Sequence, residues 1–188
     1  MTTLITGRPA RAVPLLKDST KTFPKMYKLN TMMGHLNDTE IEEVLQKQIV
    51  GRIGCHAGGE TYVVPISYAY DGQYVYGRTR EGKKMEMMRA NPVVCFEVDE
   101  MKDMANWRSV IAQGRFEELK ADGPRAEALQ RLVDRMLPLV SSETTHLTPL
   151  WPFGIEDLNS ITGVVFRLKL TEKTGRFENN AVTEFFAS

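Results

Sequence analysis

The sequence predicts a mainly β protein, a small antiparallel barrel of six strands with helices on its outside. Two observations carry this. Successive alternating strands are joined by tight turn signals, Gly58–Gly59 and Asp71–Gly72, where parallel strands would need long crossovers. Only about three helical stretches interrupt them, too few to cover both faces of a parallel sheet.

Residues 1–34 lack clear periodicity and contain Pro9, Pro14 and Pro24. They read, to residue 36, as an extended arm ordered by packing on a partner subunit. A first helix is signposted by Thr39 as N-cap with Glu42 three residues on, and Ile41, Val44, Leu45 and Gln48 follow at helical spacing. Its apolar face is narrow and predicts a helix covering an edge. Strands are expected over Ile49–Ala57, Thr61–Tyr70 and Gln73–Arg78. A short helix follows Gly82 to about Ala90, where Asn91–Pro92 stops it. Val93–Asp99 and Ser109–Leu119 read as the fourth and fifth strands. Pro124–Leu137 reads as a helix with Leu129, Leu132, Val133 and Met136 in one stripe. Residues 138–158, with Trp151 and Phe153 beside prolines, form an irregular loop that serves as a lid or an interface element. Ile161–Leu170 is the last strand, followed by a Thr174–Gly175 turn and a tail over 179–188.

Composition narrows the function classes. Lys+Arg and Asp+Glu both number 24, so no global field favours nucleic acid or an acidic membrane. No apolar run approaches the ~20 residues of a membrane span, and no export signal is read at the N-terminus. Cys55 and Cys95 read as buried free thiols, which suits a reducing cytoplasm. His56 follows Cys55 directly, but neighbouring strand residues face opposite ways, so the pair cannot chelate one metal. His35, His56 and His146 stand apart and support no hydrolytic triad.

Three features could carry chemistry. Arg78, Arg80, Lys83 and Lys84 straddle Gly82 where the short helix begins, and free helix N–H groups plus cations suit a phosphate. A solvated turn neutralised by Glu81 and Glu86 is the other reading. Neither a Walker loop nor a GxGxxG fingerprint is present. Pro65 interrupts an apolar strand and belongs at an edge, or where flanking backbone groups bond a flat heterocycle. Asn106–Ile111 begins a strand with Trp107, Arg108 and Ser109, either walling a planar ligand or anchoring a barrel corner.

The order VVPISYAYD, VYGRTREGKKMEMMRANPVVCFEVD, NWRSVIAQGRFEEL and a final strand closing in TGR resembles the FMN-binding split-barrel superfamily of pyridoxamine 5′-phosphate oxidase. It is most similar to the nitroimidazole-resistance (Nim-type) branch, over residues 37–178. The resemblance implies a homodimer with FMN in clefts between subunits. Lys83 and Lys84 would hold its phosphate, with Thr79 and Arg78 or Arg80 nearby. Val64, Pro65 and Ile66 would border the isoalloxazine, with Tyr76 close to the ring. Trp107, Arg108, Ser109 and Val110 would line the cofactor across the interface. Two departures stand out. Nim-type proteins commonly carry a histidine where this chain has Gly77, and the space so left is expected to admit a substrate beside Tyr76, Arg108 and Trp151. The last strand lacks the Arg-x-His element of true pyridoxamine phosphate oxidases, which argues against vitamin B6 oxidation. The expected function is an FMN-dependent oxidoreductase reducing a small aromatic or nitro-type acceptor, with no acid–base residue assigned. A flavin carrier or redox sensor without turnover is the alternative, and a haem or deazaflavin ligand a third.

Overall fold

The structure, a computed structural model, describes residues 30–136 and 162–181. In chain order these form β1 (Asn30–His35), α1 (Asp38–Lys47), β2 (Val50–Ala57), β3 (Glu60–Tyr70), β4 (Tyr74–Thr79), α2 (Lys83–Ala90), β5 (Val93–Asp103), β6 (Asn106–Glu118), α3 (Asp122–Met136) and β7 (Val164–Ala181). All strand pairs are antiparallel, in the order β1-β7-β4-β3-β2-β5-β6, and β7 also pairs with β6. The sheet therefore has seven strands where six are expected. The added one is β1, from the arm, which lies along Arg176–Ala181 of β7. The remainder of the arm, the 138–158 loop with Trp151 and Phe153, His146 and the tail beyond 181 lie outside the described residues.

β7 makes the circuit of pairs close. Its first part lies between β4 and β6, and its last part between β6 and β1. A strand of 18 residues is needed for both. Thr174–Gly175, expected as a turn after the last strand, instead lies inside β7. Gly175 sits there because Leu36 packs onto it. A Cβ at 175 would lie 2.7 Å from Leu36 Cβ, and Leu36 N–H donates to Gly175 O at 3.0 Å.

Alternation sorts the side chains. On β6, Val110, Ala112 and Phe116 turn inward and Ile111 and Gln113 outward. The interior cluster contains Ile53, Tyr68, Phe96, Val98, Phe166 and Leu168, with Met85, Met87 and Met88 entering from α2. α1 is capped two residues earlier than expected. Asn37 accepts from Glu40 N–H at 3.0 Å and Glu40 returns to Asn37 N–H at 2.8 Å. Its narrow face buries Ile41, Val44 and Leu45 in the main cluster instead of covering an edge. Tyr68 Oη donates to Leu45 O at 2.8 Å, tying the helix to the interior. α3 lies on the other face of the sheet, where Ala128, Leu129 and Leu132 pack on Ala69, Tyr76 and Val165. No helix among the described residues is long and apolar enough to cross a membrane.

Gly77 opposes Phe166 in the β4–β7 ladder and faces the interior. A Cβ there would come 2.5 Å from Phe166 Cζ, and Phe166 is fully buried. The expected open space above Gly77 is thus filled, and no substrate enters there. Gly77→Ala should overpack the core and destabilise by about 1–3 kcal/mol. Thermal melts of Gly77→Ala, Phe166→Leu and the double variant check this. The double variant should be less destabilised than the sum of the two. Strict additivity would show that the two positions do not compete for volume.

Candidate functional site

The β3–β4 ladder covers only Tyr68↔Gly77, Ala69↔Tyr76 and Tyr70↔Val75. β3 runs back to Glu60 and β4 forward to Thr79, so the strands part there, leaving one side of β3 without a ladder partner among the described residues. Tyr68 N–H donates toward β2, to Ile49 O at 3.1 Å. Backbone groups alternate sides along a strand, so Val64 and Ile66 also point to β2, whereas Val63, Pro65 and Ser67 point to the open side. Pro65 is tolerated because its missing N–H would face that gap. The side chains alternate too. Ile66 is buried in the core, Val64 is half-buried, and Val63 and Pro65 are exposed.

Beyond Thr79 the chain turns at Gly82 into α2. Gly82 has φ of 150°, a conformation that favours glycine, and no side chain caps the helix. Met85 and Glu86 N–H both return to Gly82 O, at 2.8 and 3.1 Å. The N–H groups of Lys83 and Lys84 thus precede the first intrahelical bond and stay free for an acceptor. A Cβ at Gly82 would meet nothing within 4 Å, so the space beside Gly82 is open.

The two lysines differ. Lys83 Nζ pairs with Glu60 and lies 5.1 Å from the centre of the Tyr62 ring. Lys84 is half-buried, has no carboxylate partner among the described residues, and lies by the buried Cys55 thiol. Burial holds its ammonium below the ordinary lysine range, and burial likewise pushes the Cys55 thiol up against the opposing pull of Lys84. Arg78 points to the α3 side of the sheet, where its Nε donates to Thr162 O at 2.8 Å. Tyr76 shares that face. Its Oη donates to Asp71 Oδ2 at 2.7 Å, and burial, then Asp71, push its phenol up to about 12.

Trp107, Arg108 and Ser109 lie elsewhere. Trp107 Nε1 donates to Glu178 Oε2 at 3.0 Å, Arg108 Nε to Glu100 Oε2 at 2.8 Å, and Ser109 Oγ to Glu97 Oε1 at 3.4 Å. Val110 is in the core. Trp107, Phe177, Met32 and Leu36 wall a cavity of about 420 Å³ that also holds Lys47 and Arg108. Lys47, then Arg108, keep Glu100 well below the usual carboxylate range. Thr79 pairs with Val164 and Trp107 with Glu178, at opposite ends of β7. At about 3.3 Å per residue, the intervening strand measures on the order of 45 Å along its contour. One subunit therefore brings Lys83, Lys84, Thr79 and the β3 edge together, and holds the Trp107 group apart from them.

Sequence reasoning missed Glu60 and Tyr62, which hold Lys83, and Val63, whose backbone faces the gap. The alternation of Tyr62–Ser67 carried the signal for Val63. Cys95 is half-buried where a buried thiol is expected, and both cysteines are free. Among the described residues no three His, Cys, Asp or Glu side chains converge as metal ligands.

A curated protein of Rhizobium meliloti (strain 1021), itself uncharacterized, is 34% identical over 82 residues, 44% of this chain and 54% of that one. The chain thus spans about half the length of that relative. An FAD-binding protein of Mesorhizobium loti has a similar structure, with a TM-score of 0.64 and 30% identity, covering 79% of this chain and 98% of that one. A candidate 5-nitroimidazole antibiotic resistance protein of Bacteroides thetaiotaomicron shares the fold, with a TM-score of 0.58 and 17% identity over 80% of this chain and 90% of that one. The family described as Pyridoxamine 5'-phosphate oxidase matches residues 37–177, through every element from α1 into β7, and the chain belongs to that family.

Proposed function

We infer that the protein is an FMN-binding flavoprotein, a cytoplasmic homodimer of split barrels that reduces a small aromatic or nitro-type acceptor. The observation that carries this reading is the uncapped start of α2. Its free N–H groups, the open space beside Gly82 and Lys84, which has no carboxylate partner among the described residues, suit a phosphate dianion. The adjoining open edge of β3 offers backbone donors and acceptors to a flat, partly polar ring. When bound, FMN supplies the electron transfer, and the chain binds, orients and shields it.

The groups set apart along β7 fit the dimer. A second copy would place its Trp107 and Arg108 beside the first copy's α2, which neither copy does alone. The outer face of β3, β2, β5 and β6 exposes Val63, Val50, Val93 and Ile111 around a groove of about 490 Å³ lined by Gly54 and Cys95. That apolar face is the surface the second copy would cover. Membership of the family does not carry its oxidase activity here, because β7 lacks the Arg-x-His element. A flavin carrier without turnover is the second reading, favoured by the absence of an assigned acid or base.

The absorption spectrum of the purified protein should show oxidised flavin. A colourless protein that refuses added FMN would end this reading. Anaerobic reduction with a nicotinamide donor followed by a nitroimidazole should reoxidise the flavin, and reoxidation by oxygen alone would favour the carrier.

Lys84→Ala should weaken FMN binding by about 1.5–3 kcal/mol, and more than Lys83→Ala, because Lys83 already has Glu60. Equal FMN affinity in the Lys83→Ala/Lys84→Ala variant and the parent would refute the phosphate assignment. The lowered pKa of Lys84 adds a pH signature. Burial makes the cation less favourable, so it is lost at lower pH than an ordinary lysine as pH rises. FMN affinity should therefore fall on the alkaline side earlier than for an ordinary lysine, and Lys84→Arg should flatten the profile.

Val63→Asp/Val93→Asp should give a monomer in sedimentation velocity and release the flavin. A flavin-loaded monomer would show that one copy completes the site.

A further inference from the structure

Lys83 and Lys84 open the same helix, yet their side chains meet different surroundings. Lys84 is half-buried by the Cys55 thiol and has no carboxylate partner among the described residues. Lys83 is already paired. Its ammonium bonds Glu60 and lies 5.1 Å from the centre of the Tyr62 ring, so a carboxylate and an aromatic face hold it together. Glu60, ahead of any other group, raises Lys83 above the ordinary lysine range.

Both of these partners come from the β2–β3 hairpin. Glu60 is the first residue of β3 and pairs with Ala57 across Gly58–Gly59, and Tyr62 stands two places on. α2 is tied to the same hairpin at its other end. Asn91, its C-cap, donates through Nδ2 to His56 O at 2.9 Å. Met85, Met87 and Met88 anchor the helix in the core as well. Lys83 and Glu60 therefore do not have to dock α2. Their side chains stay about half exposed, at 47% and 59%, and a pair so exposed adds little to stability.

A weak pair is easily exchanged. A phosphate dianion on the free N–H groups of the helix start is a stronger, charge-assisted partner for Lys83 than an exposed carboxylate is. The flexible four-carbon lysine stem lets the ammonium move from one anion to the other. Glu81, which precedes Gly82, is held by Arg89 Nη1 and Nη2 at 2.7 and 2.8 Å, which leaves Glu60 as the acid that engages Lys83.

We propose that Glu60 limits the affinity of the site at the start of α2, parking Lys83 on the β2–β3 hairpin and competing with the ligand's phosphate for its ammonium. The proposal rests on reading that helix start as a phosphate site. Lys84 then supplies charge that is always available, and Lys83 supplies charge only after exchange. Removing the Glu60 carboxylate tightens phosphate-bearing ligands, and the gain passes through Lys83. The competition is between exposed charges, so added salt shrinks it.

The test titrates the full-chain apoprotein calorimetrically at low salt with FMN, riboflavin and inorganic pyrophosphate. The variants are Glu60→Gln, Lys83→Ala and the two combined. Glu60→Gln should bind FMN and pyrophosphate about three- to fivefold more tightly than the parent. Riboflavin, which has no phosphate, should bind the two alike. In the Lys83→Ala background Glu60→Gln should bring no gain. A gain in affinity is not what a folding defect produces. Unchanged or weaker FMN binding by Glu60→Gln overturns the proposal. So does a gain that persists without Lys83, which would report a general change of field, or an equal gain on riboflavin. If neither flavin binds any of the four proteins, the flavoprotein reading falls, and the pyrophosphate titrations judge Glu60 alone. Failure of pyrophosphate to bind as well would overturn both.

Discussion

The ladder between β3 and β4 stops at Tyr68 and Gly77, although both strands continue past that point, and the local geometry of the site follows from this parting. β4 is drawn toward β7, with which it pairs through Thr79↔Val164, while β3 stays on β2 from Glu60 to Ser67. Gly77 lets Phe166 occupy the interior at the point of separation. Pro65 removes the one donor that a continued ladder would have needed at its position. An open β3 edge and a helix start facing the same gap are then consequences of one packing choice. Filling the gap with a normal ladder would bury the backbone groups that face outward.

Ion pairing then decides which cations remain available to a ligand. Arg89 holds Glu81 and Glu118, and Glu60 holds Lys83. These pairs are exposed and add little to stability. Their larger effect is selective, because they occupy the acids that could otherwise quench Lys84, Arg78 and Arg80. Among the described residues, the segment 78–89 thus separates into cations with carboxylate partners, Lys83 and Arg89, and cations without. Sequence order alone does not reveal that separation, since Glu81 adjoins Arg80 yet pairs with Arg89, eight residues on.

What was legible in the sequence was local. Gly82 before two lysines and Asn91–Pro92 after the helix set α2 in the right place, because helix ends are governed by nearby backbone chemistry. Hairpin turns at Gly58–Gly59 and Asp71–Gly72 fixed the register of β2, β3 and β4. The misses were non-local. Asn37 outcompeted Thr39 as N-cap because the chain entering from β1 sets where the helix can begin. Thr174–Gly175 read as a turn because Leu36, more than a hundred residues away, is what requires a glycine there. Gly77 looked like empty space because its filler, Phe166, lies on another strand. The aim of Arg78 at Thr162 depends on where β7 begins, which no short window contains.

The same non-locality explains why the Trp107 group could not be joined to the lysines by inspection of one chain. β7 is the ruler that separates them, since β4 lies along its start and the beginning of β6 along its end. Each group is internally satisfied. Trp107 bonds Glu178 and Arg108 bonds Glu100, so neither needs the distant lysines for its own stability. Residues fixed this firmly at an edge, with a walled cavity beside them, can be presented to another molecule without rearrangement. If they contribute to the gap between β3 and β4, the contribution comes from a neighbouring copy. Completion of the site and burial of the apolar outer face would then be a single association event, with cofactor retention depending on protein concentration.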